Sequence, residues 1–133
     1  MRSDDGVGSY IFSKVISSKF LKVVNAGYTP ENIIDKVTEL SPKRIIIIDA
    51  ADFGGFPGEV RVIDSEHIPE ASLSTHAVSL KVIAKILFED TRADIIFIGI
   101  QPKNVALGEE LSPEVSASAD GIINYLKKEF SNA

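Results

Sequence analysis

The sequence predicts an α/β fold, a three-layer α/β/α sandwich around a mostly parallel sheet with one antiparallel edge strand. Three observations carry that expectation. Four consecutive isoleucines at 45–48 are β-branched and apolar on both faces, as a buried parallel strand requires. A second apolar run, 93–100, has the same character. Between and around these runs lie segments whose apolar residues recur at helical spacing, and such alternation belongs to sheets covered by helices on both faces.

In chain order, the first helix is expected over 8–19, with Val7, Ile11 and Val15 together with Phe12 and Ile16 as its apolar positions and Asp4 or Asp5 as its N-terminal cap. Residues 20–25 read as a short strand closed by Ala26-Gly27. Thr29 before Pro30 is a cap followed by proline at the first helical position. Ile33, Ile34, Val37 and Leu40 form the inner face of that second helix, and Ser41-Pro42 ends it. The isoleucine strand runs over 44–49. A Gly/Pro-containing loop, 50–58, leads to a half-exposed strand over 59–63, in which Val60 and Val62 alternate with Arg61. After a polar loop, a third helix over 78–88 buries Val82, Ile83, Ile86 and Leu87. The strand 93–100 stops at Gln101-Pro102. A last helix over 113–130 is capped by Ser112 and turns Val115, Ala119, Ile122, Ile123 and Leu126 inward. With no internal repeat and no linker, residues 1–133 read as a single domain.

Composition narrows the function. The 133 residues are 44% hydrophobic and 25% charged, enough for one ordinary core. With 14 Lys+Arg against 19 Asp+Glu the net charge is −5, which argues against nucleic acid or an anionic membrane as partner. The absence of cysteine excludes disulfides, thiolate metal sites and cysteine nucleophiles. No apolar run approaches a membrane span, and Met1-Arg2-Ser3-Asp4-Asp5 does not open like a signal peptide, so a cytoplasmic location is expected.

In α/β sheets ligands sit outside the carboxyl ends of the strands. The polar residues that fall there are Asp4, Asp5, Asn25, Asp49, Asp52, Gln101 and, in the long loop, His76. Singly, each has a plain structural role: Asp49 caps a turn, Asp4-Asp5 caps a helix, and His76 is a hydrogen-bonded loop residue, as His67 also is. Together, two carboxylates and an imidazole suit a borderline divalent ion such as nickel or zinc.

Six segments in register resemble one family. Ser3-Asp4-Asp5-Gly6-Val7-Gly8 is similar to the second half of the G-N-x-L-x-x-D-[DE]-G-x-G opening of the nickel–iron hydrogenase maturation endopeptidases. Ile46-Ile47-Ile48-Asp49-Ala50 resembles that family's apolar strand ending in D-A, and Pro57-Gly58-Glu59-Val60 its return strand. Ser74-Thr75-His76, with Leu80 following, resembles its [ST]-x-H-x-x-x-L segment. Phe97-Ile98-Gly99-Ile100-Gln101-Pro102 resembles the G-I-Q-P strand end of the branch serving energy-converting, formate hydrogenlyase-type hydrogenases, and Leu111-Ser112-Pro113 the family's late helix start.

The resemblance implies a phosphorylase/hydrolase-like fold. It also implies an endopeptidase that removes the C-terminal extension of a nickel-loaded hydrogenase large-subunit precursor. Its metal-contacting positions fall on Asp5, Asp49 and His76. Nickel then arrives with the precursor, and no permanently bound cofactor is expected. Cleavage proceeds either through a carbonyl or water polarised by the metal, or with a carboxylate as base, for which Asp4 or Asp5 is the choice beside Asp49. The three metal-contacting side chains are expected within roughly 4–6 Å of one another at the carboxyl edge of the sheet. A cleft bordered by the loops 50–58 and 65–75 is expected around them.

The chain departs from the pattern twice. Asn25-Ala26-Gly27 stands where the family has a glycine pair, and the family's first strand and its Gly-Asn are absent. Loss of a strand between 20–25 and 44–49 leaves a gap of about 10 Å instead of about 4.8 Å, so the natural product is expected to begin one strand upstream of Met1. Two rivals stand beside this reading. A response-regulator receiver would use Asp4-Asp5, Asp49 and Lys103 with magnesium, but needs a helix after Asp49 and a lysine before its proline. A non-catalytic flavodoxin-like domain is the other, although Gly6-x-Gly8 is no phosphate loop.

Overall fold

A computed structural model describes residues 6–24, 33–68, 79–103 and 111–130. Its elements are α1 (Val7–Lys14), α2 (Ile34–Glu39), β1 (Arg44–Ala50), β2 (Val60–Asp64), a 3₁₀ turn (Ser65–His67), α3 (Leu80–Thr91), β3 (Asp94–Ile100) and α4 (Pro113–Glu129). The strands form one sheet in the order β1-β3-β2. β1 and β3 are parallel, from Arg44 opposite Asp94 to Ala50 opposite Ile100, and β2 is antiparallel to β3 on the far edge. The parallel pair and the antiparallel edge strand are those expected from the sequence.

Strand alternation divides the core into two layers. On one face Ile46, Ile48, Ala50, Ile98 and Ile100 pack with Val7, Ile11 and Val15 of the α1 segment and with Val115, Ala119, Ile122, Ile123 and Leu126 of α4. On the other face Ile45, Ile47, Ala51, Ile95 and Phe97 pack with Leu80, Ile83, Ala84 and Leu87 of α3 and with Ile34 and Val37 of α2. This is the α/β/α sandwich, and it explains why β1 and β3 are apolar between their ends. The Ser112 hydroxyl accepts from the Val115 N–H, and all five residues expected to face inward on α4 are buried. Among the described residues no helix is long and apolar enough to cross a membrane.

Several local expectations are corrected. α1 stops at Lys14, because Val15 is extended and the serines behind it compete for the backbone. Ser18 Oγ accepts from the N–H groups of Phe20 and Leu21, and Ser17 Oγ from that of Val23. Ile16 is therefore 86% exposed rather than part of an apolar helix face. The same serine bonds hold Phe20, Leu21 and Val23, and residues 20–24 form an irregular segment, not a strand. The N-cap position of α1 is taken by Gly6, not by an aspartate. On α3 the helix starts later than expected, after Ser79. Val82 is 46% exposed, and Leu80 and Ala84 take its inward place. The expected start of the second helix at Thr29-Pro30 lies outside the described residues. Its end is as expected, with Ser41 at φ 48° and its N–H donating to Thr38 O.

α3 ends two residues before β3, so it runs back along the sheet. Its twelve residues span about 18 Å, close to the length of the seven-residue strands beside it, and Ser79 thus lies toward the carboxyl ends of β1 and β3. The first turn of α1 also meets this region: a β-carbon on Gly8 would lie 3.3 Å from the Ile48 carbonyl oxygen.

One residue tests how tightly the loop after β1 is seated on α4. Gly58 has φ 86°, and a β-carbon there would come within 2.6 Å of the Glu114 carbonyl oxygen. Replacing Gly58 by Ala combines left-handed strain with a backbone clash, and we expect a loss of about 2–4 kcal/mol, read as a lowered denaturant midpoint at unchanged m-value.

Candidate functional site

Asp49 is the last but one residue of β1 and is 7% exposed. It alternates with Ile47 and Ala51 and so belongs to the face covered by α2 and α3. Its Oδ1 accepts a 2.8 Å hydrogen bond from the N–H of Ala50. A carboxylate buried at the end of four isoleucines is costly unless polar groups or cations meet it, which is unusual for packing and ordinary for a site. Across the ladder Asp49 faces Gly99. A β-carbon on Gly99 would lie 2.9 Å from Phe97 Cε1 and 3.4 Å from Ala51 Cβ, so glycine there lets the Phe97 ring stay packed beneath the strand end.

Beyond Asp49 the chain makes a turn that is held almost entirely by side chains. Gln101, also 7% exposed, follows β3. Its Oε1 accepts from the N–H groups of Phe53 at 2.9 Å and Gly55 at 3.1 Å, and its Nε2 donates to Asp52 Oδ1 at 3.2 Å. Asp52 Oδ1 also accepts from Gly54 N at 3.0 Å, and Glu59 Oε1 from Phe56 N at 2.9 Å. The Gln101 carbonyl accepts from Gly58 N, and the Glu59 carbonyl accepts from Gln101 N, both at 2.8 Å. Thus every backbone N–H from Phe53 to Glu59 has an acceptor, Pro57 having none to offer. The Arg61 guanidinium lies 4.4 Å from the Phe53 ring centre and 3.2 Å from Glu59 Oε2. Ser118 Oγ donates to the Gly58 carbonyl and ties the turn to α4.

These bonds act on the carboxylates. The Gly54 N–H, and after it the Gln101 amide, hold Asp52 below its ordinary value, and the Phe56 N–H does the same for Glu59. On the far loop the His67 side chain, with Nδ1 2.6 Å from Asp64 Oδ1, lowers Asp64. His67 is exposed and its N–H donates to Asp64, which caps the 3₁₀ turn, a local role as its sequence setting suggests.

Of the residues singled out from sequence, Asp49, Asp52 and Gln101 stand together at the carboxyl ends of β1 and β3. Asp4, Asp5, Asn25 and His76 lie outside the described residues, as does most of the loop expected to form the second wall of a cleft. Among the described residues no three His, Asp or Glu side chains form a metal-binding group. The receiver reading fails on two observations. β1 leads through the turn into β2 and not into a helix, and Lys103 Nζ reaches Glu114 Oε2 at 2.9 Å. Gln101 is the residue whose part was missed. Its place in the G-I-Q-P segment marks only a strand end, whereas the structure makes it the peg of the turn.

A parallel strand pair covered by helices on both faces, with a buried acid at its carboxyl end, is the framework of an α/β/α domain with its site at the strand ends. A family model described as hydrogenase maturation protease matches residues 9–129. The hydrogenase 3 maturation protease of Escherichia coli K12 is 33% identical over 130 residues, covering 96% of this chain and 83% of that protein. Among solved structures, the [NiFe] hydrogenase maturation protease HycI of Thermococcus kodakarensis superposes with a TM-score of 0.86 at 28% identity, covering 98% of this chain and 86% of that one. The solution structure of the endopeptidase HycI of Escherichia coli gives 0.83 at 32% identity, covering 96% and 83%. The chain belongs to the hydrogenase maturation protease family. It is an endopeptidase of that family.

The depressed carboxylates set an expectation for acid. A group whose value is lower in the folded than in the unfolded chain stabilises above the unfolded value, about 4 for these acids, and that stability is lost as pH falls through the folded value. Asp52→Asn keeps the acceptor for Gly54 but removes the titration. Thermal melts between pH ~5 and ~3 are expected to fall less steeply for this variant than for the unaltered protein. Parallel curves would show that Asp52 carries none of the acid response.

Proposed function

We propose that this chain acts on a precursor already loaded with nickel, and that Asp5, Asp49 and His76 contact the metal while the bond is cut. The observation that carries the reading is Asp49, a buried acid at the carboxyl end of an otherwise apolar parallel strand. Chain connectivity supports the other two. Asp5 precedes Gly8 by three residues, about 11 Å of chain at most, and Gly8 packs against Ile48 beside Asp49. His76 precedes Ser79 by three residues, and Ser79 caps the end of α3 that lies toward the same strand ends.

On this reading the nickel is substrate. Two carboxylates and a neutral imidazole leave coordination positions for ligands that the precursor brings, and without thiolates of its own the chain binds nickel weakly until the precursor arrives. Either the metal polarises the scissile carbonyl or a water, or Asp4 or Asp5 takes the proton of the attacking water. Residues 1–133 work as a single domain in the cytoplasm, and the peptidase is aspartate-dependent and metal-contacting. The turn after Asp49 forms one wall of a cleft that receives a folded precursor rather than a short peptide.

Asp49→Asn tests the reading most directly. The amide retains the acceptor for Ala50 but loses the charge, so processing of the nickel-loaded precursor, followed by mass spectrometry, is expected to stop while the melting temperature stays within about 2 °C. Normal cleavage would reduce Asp49 to a cap. Nickel-free precursor and casein are both expected to remain intact, and cleavage of either would remove the metal from the recognition step or open the specificity.

A further inference from the structure

We propose that Gln101 is a positioning residue of this peptidase: its buried amide fixes the turn 52–56 in the shape against which the precursor docks. The inference rests on the reading that the carboxyl ends of β1 and β3 are where the precursor is cut.

Two parts of the site are held by different forces. Asp49 belongs to the ladder, and the next N–H, that of Ala51 beyond Ala50, reaches the Ile100 carbonyl at 3.1 Å. Its seat therefore depends on strand pairing. The turn has no such ladder. Phe53 N, Gly55 N and Asp52 Oδ1 all converge on the one Gln101 amide, which uses its acceptor twice and its donor once. The amide is buried, so its bonds are not exchanged for water at little cost, and losing them leaves the N–H groups of Phe53 and Gly55 without an acceptor and Asp52 with only the Gly54 N–H. The turn they hold begins three residues after Asp49 and carries Phe56 at its tip, 79% exposed. An apolar ring held out on a fully bonded turn is a preorganised contact, whose value for binding lies in the ordering already done before the partner arrives.

Gln101 thus acts on binding through the turn and not on the chemistry at Asp49. In steady-state processing of the cognate nickel-loaded precursor by the full chain, Gln101→Leu, similar in volume and without hydrogen bonds, is expected to raise KM at least about ten-fold and leave kcat within about two-fold. Hydrogen exchange of the free protein should quicken at residues 53–56 and stay unchanged in β1.

A polarity swap supplies the rescue. Gln101→Glu alone keeps the acceptors for Phe53 and Gly55 but sets a carboxylate against Asp52, and KM should rise. Adding Asp52→Asn restores a donor–acceptor pair, and KM should return toward that of the unaltered protein. A merely structural role would lower the melting temperature and the active fraction, and so kcat, without moving KM and without rescue by the pair. That outcome, or an unchanged KM in Gln101→Leu, overturns the proposal. Failure of the unaltered protein to process the precursor would instead overturn the underlying reading of the site.

Discussion

The constraint on which the rest depends is the seven-residue parallel ladder between β1 and β3. Both of its faces are covered, one by α1 and α4 and the other by α2 and α3, so each strand must be apolar at nearly every position. The cost of burying a polar group in such a ladder is several kcal/mol unless it is met by partners. Polar chemistry is therefore pushed to where the ladder ends, and the two chains end together: Asp49 and Ala50 on one strand, Gly99, Ile100 and Gln101 on the other. The close packing of isoleucines upstream determines that these residues are neighbours, although they are about fifty positions apart in the chain.

A second kind of order starts at that edge. The turn after β1 is neither helix nor strand, and its shape comes from side chains substituting for a ladder: an amide, two carboxylates and a guanidinium over a ring. Such bonds are individually worth about 0.5–1.5 kcal/mol. They matter because several close on the same short stretch, and because the buried Gln101 cannot turn to solvent for replacements. The turn is then seated on α4 through Gly58 and Ser118, which links it to the opposite layer of the core.

Much of this was legible from residue pattern. The isoleucine run and the Ser112-Pro113 helix start each carry a local physical signal and appear at their expected places; the strand around Arg61 also forms, but Val60 and Val62 are both exposed and Ile63 takes the packed position. Asp49 was legible because an acid closing an apolar strand breaks the pattern at the one place where a sheet of this kind binds its ligands. Where the pattern misled, a local competitor had won. Ser17 and Ser18 drew backbone N–H groups away from a longer α1 and from a strand at 20–25. Val82 fits an apolar helix face by spacing, but the helix begins later than expected and its rotation is set by Leu80 and Ile83. Gln101 was visible only as the residue that stops a strand. Its three bonds reach residues some fifty positions away, and no periodicity records a contact of that kind.

Opposite Asp49, a methyl group in place of the Gly99 hydrogen would strike the Phe97 ring and crowd Ala51. Acid, glycine and ring are thus one interlocked unit, and a change at any of them must be answered at the others. The turn beside them is held by the side chains of Gln101, Asp52 and Glu59, which meet its backbone N–H groups, whereas the exposed Phe56 ring at its tip takes no part in those bonds. A substitution at Phe56 therefore alters the tip of the turn while leaving the packing at the strand ends as it is.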